Sequence, residues 1–167
     1  MRKLPLGLAL LLGAIGSSHA VECPTPAPFV AVEKVIALPD ALADLHHAKV
    51  QLINLWAIWC APCRKELPML ASLEQSMKNE PDIAVQAVHV GAATEQVTDT
   101  LSKLGAEELG TASIEDLSAF QALGVYGLPY TLLTMNGTVQ FIGAGYLGED
   151  ETPFKEWLVC IKENSEQ

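Results

Sequence analysis

The sequence predicts an α/β fold in which a central mixed sheet is flanked by helices, and three observations carry that expectation. Residues 50–56 (Val-Gln-Leu-Ile-Asn-Leu-Trp) form a nearly continuous apolar run, the pattern of a central strand buried on both faces. This run leads into a helical pattern, and a second, β-branched run over residues 83–90 leads into another over residues 94–104. Such a succession implies parallel pairing through a right-handed crossover. Near the end, Asn136-Gly137 separates the strand-like residues 131–135 and 138–142, a strong short-range hairpin signal that adds an antiparallel pair.

The remaining elements follow in chain order. Residues 1–20 run from a basic start (Arg2, Lys3) through an apolar stretch to Ser18-His19-Ala20, the pattern of a secretory signal peptide with cleavage expected after Ala20. The apolar stretch is about 12 residues long and holds Pro5, Gly7 and Gly13, whereas a spanning helix needs roughly 20, so an uncleaved N-terminal anchor is the alternative. Residues 21–28 form a Pro-rich leader containing Pro24, Pro26 and Pro28, residues 29–163 a single domain, and residues 164–167 a tail. The runs 29–32 and 35–38 are expected to pair as a small N-terminal hairpin, and Asp40 to cap a short helix reaching Leu45. His46 and His47 then read as a solvated loop pair. Over residues 64–78, Leu67, Leu70, Leu73 and Met77 recur at helical spacing, with Pro68 expected to kink the helix. Residues 107–114 are ambiguous and include a possible short strand, and residues 114–123 read as a helix ended by Gly124. Thr152-Pro153 reads as the N-cap and first residue of a terminal helix with Phe154, Trp157, Leu158 and Ile161 on one face.

The chain of 167 residues carries 20 acidic and 10 basic side chains, and loss of Arg2 and Lys3 with the leader would take its formal charge from −10 to −12. Such a surface repels nucleic acid and anionic lipid. Solubility is the simple reading of this charge, with attraction of basic partners such as c-type cytochromes as the other. No later segment is long and apolar enough to span a membrane, so a soluble monomer in an exported, oxidising compartment is expected, in a bacterium the periplasm.

The chemistry concentrates in Trp59-Cys60-Ala61-Pro62-Cys63. A strand delivers Cys60 to a helix N-terminus, where unpaired N–H groups and the positive dipole end favour thiolate over thiol. Cys63, one turn on, can resolve a mixed disulfide formed at Cys60. Pro62 stiffens this turn and brings no N–H to satisfy. Cys23 and Cys160 remain, near the two ends of the mature chain. They are expected to bond to each other as a structural disulfide, with free thiols or a contact with another chain as the competing readings, and a zinc site built from all four cysteines is disfavoured because only one pair has ligand spacing. No metal or cofactor is expected.

Other polar residues have two readings each. Asn54 within the central strand must be hydrogen-bonded if buried, either as a satisfied core amide or as an influence on the sulfur site. Glu66, three residues beyond Cys63, shares its face. Spacing alone reads it as an ordinary helix charge, while burial of that face would make it a proton acceptor. His89 reads as structural, and Pro129, at the start of a strand, is a candidate cis peptide.

Taken together, strand, Trp-Cys-x-x-Cys, helix, crossover strand, Pro-initiated hairpin and final helix resemble a thioredoxin fold over about residues 29–163. More narrowly, the run Trp59 to Pro68 (Trp-Cys-Ala-Pro-Cys-Arg-Lys-Glu-Leu-Pro) and the helix-strand insertion at 94–111 resemble the TlpA/ResA/DsbE family of exported thioredoxin-like proteins. The resemblance implies that Cys60 is the nucleophile, Cys63 the resolving thiol, Glu66 an active-site acid or base, and Pro129 a cis-proline facing the pair. It also implies a client-binding surface made of Trp59, Ala61, Pro62, Leu128, Pro129 and Tyr130. Asn54 stands where thioredoxin has a buried Asp, so proton handling is expected to have moved to Glu66. A Thr is commoner in the family at the position of Tyr130, and the Cys23 and Cys160 pair is not a general family feature. The implied activity is a periplasmic thiol:disulfide oxidoreductase that draws electrons from a membrane thiol donor of the DsbD/CcdA type. Its clients would be proteins of the cytochrome c maturation or copper-site assembly kind. An oxidant that introduces disulfides and a copper(I)-binding module using the same thiols are the alternatives.

Overall fold

The computed structural model describes residues 22–42, 45 and 48–165. The expected signal peptide and the His46-His47 pair lie outside the described residues, as do the last two residues of the tail.

Six strands form one sheet: β1 (Phe29–Ala37), β2 (Val50–Trp56), β3 (Ile83–Val90), β4 (Ser113–Ile114), β5 (Tyr130–Met135) and β6 (Thr138–Ala144). Their spatial order is β1-β6-β5-β2-β3-β4. The pairs β2–β3 and β3–β4 are parallel, and β2–β5, β5–β6 and β1–β6 are antiparallel, so the sheet is mixed. Helices α1 (Ala61–Met77), α2 (Glu95–Lys103) and α3 (Thr152–Asn164) make the connections and the end. This is the thioredoxin fold, with α2 and β4 as the inserted helix and strand.

β2 is central, and all seven of its residues are buried. Its alternation splits the core in two. Leu52 and Trp56 pack with Leu67, Leu70 and Leu73 of α1 and with Phe154, Trp157 and Leu158 of α3. Ile53 and Leu55 face the other way, with Leu42, Val88, Phe120, Leu123 and Leu132. Asn54, two residues from Leu52 and from Trp56, therefore shares the α1 side. The β5–β6 turn is Asn136-Gly137, with φ of 50° and 75°, the left-handed pair that a two-residue hairpin requires.

Three expectations are corrected. The N-terminal hairpin is one strand: β1 pairs along β6 from Phe29↔Gly143 to Ala37↔Thr138, with a register shift between Ala31 and Ile36. The exposed Glu33 and Lys34 mark that irregularity and not a turn, because a bulge tolerates polar residues within a continuing strand. Residues 114–123 are not one helix. Ser113 and Ile114 are taken up by β3 as β4, the Asp116 carboxylate accepts from the Ser118 N–H at 2.7 Å, and only Ser118–Leu123 turns, as a 3-10 helix ended by Gly124 at φ 74°. Finally, Thr152 is already helical and its N–H donates to the Asp150 carboxylate at 3.0 Å, which places the N-cap one residue earlier, at Glu151.

Candidate active site

β2 ends at Trp56, and the chain turns through Ala57 to Cys60, whose N–H donates to the Ala57 carbonyl at 3.0 Å. Cys60 is the N-cap of α1 and retains extended backbone angles (φ −86°, ψ 99°). Its sulfur occupies the position of a capping side chain and accepts the Cys63 N–H at 3.3 Å. A sulfur held there meets an unshared N–H and the positive end of α1, both of which favour its anion. Cys60 and Cys63 are disulfide-bonded, with the sulfurs 1.95 Å apart. Cys60 retains 5% exposure and Cys63 none, so an incoming group reaches Cys60 first. Around this point Trp59 is 71% exposed, and Ala61 and Pro62 are exposed in the first turn of α1.

Beneath the sulfurs lies Glu66. α1 buries Cys63, Glu66, Leu67 and Leu70 on one stripe, so the carboxylate one turn below Cys63 has no access to water. Asn54 Nδ2 donates to Oε1 at 2.8 Å, and the Leu147 N–H donates to Oε2 at 2.8 Å. Asn54 Nδ2 also lies 3.0 Å from the Thr131 hydroxyl oxygen, which joins β2, β5 and α1 in one network. Burial pushes the Glu66 carboxyl up to about 7 against these two hydrogen bonds, which favour its charged form. A carboxyl titrating near neutrality can take and return a proton without a large energetic bias. The reading of Glu66 as a solvated helix charge is thereby overturned. Its burial was legible in its place three before Met69 and four before Leu70 on the stripe.

The loop after β6 closes the far side. Besides the Leu147 contact, the Gly145 N–H donates to the Pro129 carbonyl at 3.0 Å, so this loop ties the Pro129 segment to α1. The Leu128–Pro129 peptide is cis. β5 starts at Tyr130 opposite Leu55, which brings Pro129 to the sheet end from which β2 delivers Cys60. Leu128 is half-buried and Pro129 buried.

Tyr130 opens β5 directly after Pro129. Its ring is 4% exposed in the opposite core, and its hydroxyl donates to the Leu123 carbonyl at 2.9 Å, because the first residue of β5 points away from the α1 side. Tyr126, absent from the expected client surface, is 84% exposed on the segment entering Pro129. Its signal was an aromatic between Gly124 and Gly127 in a loop. The Leu147 N–H and the Thr131 hydroxyl had no local signal, since they reach the site from 81 and 77 residues away.

His89 is buried edge-on to Trp56, with ring centroids 5.2 Å apart, and burial holds its imidazole below the usual range. Gly91 has φ of 127°, which a side chain would strain, and a Cβ there would crowd that imidazole at 3.1 Å. Away from the site, Cys23 and Cys160 are disulfide-bonded with sulfurs 2.03 Å apart, and Asn164 Nδ2 lies 3.0 Å from the Cys23 sulfur.

Comparison with known proteins agrees with this geometry. The thioredoxin family model matches residues 38–105. The thiol:disulfide interchange protein HelX of Rhodobacter capsulatus is 32% identical over 126 residues, covering 74% of this chain and 69% of that protein. The thiol-disulfide oxidoreductase ResA of Geobacillus thermodenitrificans is 27% identical over 165 residues, covering 93% of this chain and 92% of that protein. Among solved structures, a secreted thiol-disulfide isomerase from Corynebacterium glutamicum superposes with a TM-score of 0.57 at 17% identity, covering 83% of this chain and 96% of that one, a likeness of fold.

Proposed function

The chain belongs to the ResA/DsbE/TlpA-type thiol-disulfide oxidoreductases of the thioredoxin fold, and from that premise we propose that it reduces protein disulfides in an exported compartment through the Cys60–Cys63 pair. The observation that carries this reading is the fully buried Glu66, one turn below Cys63 and titrating near 7.

In the reduced protein, the Cys60 thiolate attacks one sulfur of the client disulfide. The Cys60–client bond forms as the client S–S bond breaks, and the departing client thiolate takes a proton from solvent. Glu66, as carboxylate, accepts the Cys63 proton. The Cys63 thiolate then attacks the Cys60 sulfur, which releases the second client thiolate and closes the Cys60–Cys63 bond. Two electrons have passed to the client. A dithiol of a membrane donor of the DsbD/CcdA type restores the pair by the reverse exchange. Trp59, Ala61, Pro62, Leu128 and Tyr126 supply the apolar surface that a client backbone meets beside Pro129.

The basic-apolar-polar pattern of residues 1–20 supports export, with the leader 21–28 joining it to the domain. Among the described residues, no helix is long and apolar enough to cross a membrane.

The test is a pair of variants. Cys60→Ser is expected to lower disulfide reduction at least about 10³-fold, because the attacking sulfur is gone, while Cys63→Ser accumulates a Cys60–client mixed disulfide visible on non-reducing gels. Equal loss in both variants without any trapped species would contradict the assigned order. The reduction potential of the pair measured against glutathione separates a reductant from an oxidant.

A further inference from the structure

A groove of ≈ 460 Å³ opens at Ala61, the residue after Cys60, and runs between α1 and α2. Its walls are two helix stripes: Ala61, Arg64 and Lys65 on α1, and Gln96, Asp99, Thr100 and Lys103 on α2, with the half-buried Leu104 at its end. The spacings are i, i+3, i+4 on one helix and i, i+3, i+4, i+7 on the other, so each helix presents one continuous face.

The charge of this groove runs against the rest of the molecule. Arg64, Lys65 and Lys103 face a single carboxylate, Asp99, in a chain of formal charge −10. The groove along α3 has the opposite balance, with Glu151, Glu156 and Glu163 against Lys155. Lys65 is engaged by Glu149 and sits 5.2 Å over the Tyr146 ring. Among the described residues, no carboxylate lies within ion-pair distance of Arg64 or Lys103. Two exposed cations without partners therefore flank a concave strip that begins beside the accessible sulfur.

Resting on the reductase reading above, we propose that this groove is the specificity site for clients, and that its occupant is an acidic, extended segment of a protein next to the disulfide being reduced. Arg64 offers a planar fork that takes a carboxylate in bidentate fashion, and Lys103 a second positive charge one helix away. Gln96 adds an amide that serves either edge of a peptide backbone. The apolar Ala61 and Leu104 leave room for the aliphatic parts of the segment. Docking there places the client sulfur at the start of α1, where Cys60 waits.

The experiment uses the full protein and two disulfide peptides of equal length and cysteine spacing, one flanked by Asp and Glu, the other by Lys. The bulk acidic surface alone would favour the basic peptide, so the groove makes the opposite prediction. At physiological salt, where screening confines the bulk field to about 8 Å, the acidic peptide should be reduced with a kcat/KM about fivefold higher than the basic one. Arg64→Glu combined with Lys103→Glu, both at exposed positions, should erase or invert that ratio, which cancels any change in intrinsic sulfur reactivity. In parallel, fluorescence anisotropy of the acidic peptide with its cysteines replaced by serine reads docking without exchange. It should show binding that the double variant weakens by a similar factor. Equal rates for the two peptides, a preference for the basic one, or a preference that survives the double variant would each overturn the proposal. Binding of the serine peptide without any exchange would uphold the groove and count against the reductase reading instead.

Discussion

The chain contains two disulfides that differ in almost everything except the bond. Cys60 and Cys63 lie 3 apart in sequence, at the N-terminus of α1, over a buried carboxyl that titrates near 7. Cys23 and Cys160 lie 137 apart, join the leader to α3, and have the Asn164 amide as neighbour. Closing the short ring removes little freedom from the unfolded chain. Closing the long one removes much more, on the order of 4 to 5 kcal/mol by the chain-entropy estimate. The contrast shows that loop length and local charge chemistry, rather than the S–S bond itself, divide an exchanging disulfide from a holding one.

The two disulfides should differ most in thermal stability. Replacing Cys23 and Cys160 together by serine should lower the melting temperature by roughly 10 °C or more while the folded protein still exchanges disulfides through Cys60. Calorimetry and a disulfide-reduction assay below the lowered transition check both halves. A loss of exchange as deep as in Cys60→Ser would erase the distinction.

Glu66→Gln comes next. The folded carboxyl is raised from 4.5 to about 7, so between these values the folded protein holds a proton that the unfolded chain has lost. Stability from this group is thus fully present below pH 4.5 and declines as pH rises through 7. Urea titrations of the oxidised protein should show the decline, on the order of 3 kcal/mol, and the Gln variant should flatten it. The same variant should remove a titration near 7 from the pH profile of exchange, if Glu66 takes the Cys63 proton as proposed. An unchanged profile would leave Glu66 a structural group only.

The smallest effect is expected at the rim. Lys65 and Glu149 form an ion pair with both side chains more than 60% exposed (63% and 65%), where water screens the attraction. Lys65→Gln should leave the melting temperature within experimental error. A clear drop would mean that the loop closing the Glu66 site depends on this pair, and that the exchanging disulfide also carries structural load.

Elements with their own periodicity were legible in advance. Val50 to Trp56, the stripe of α1, the crossover into α2 and the Asn136-Gly137 hairpin all appear where local pattern places them, because alternation, helical spacing and positive-φ residues act over a few neighbours. The failures fall where a distant partner decides. Glu33 and Lys34 read as a turn until β6, more than a hundred residues on, holds β1 straight through them. Residues 114–123 read as helical until β3 claims Ser113 and Ile114. The side of the sheet that the Tyr130 ring takes is likewise set by the register of β5, which turns it into the opposite core.

Local residues already carry the chemistry available: two thiols separated by two residues at a strand-to-helix junction, with a proline and an indole beside them, a combination whose reactivity follows from local backbone geometry. Its tuning comes from packing between distant segments. Glu66 becomes an ionisable group poised near neutrality because α1 packs it against β2 and because Asn54 and Leu147 reach its two oxygens, and Cys23 meets Cys160 because α3 returns to the leader. Desolvation and long-range hydrogen bonding depend on the whole packed chain, which no local stretch of residues encodes.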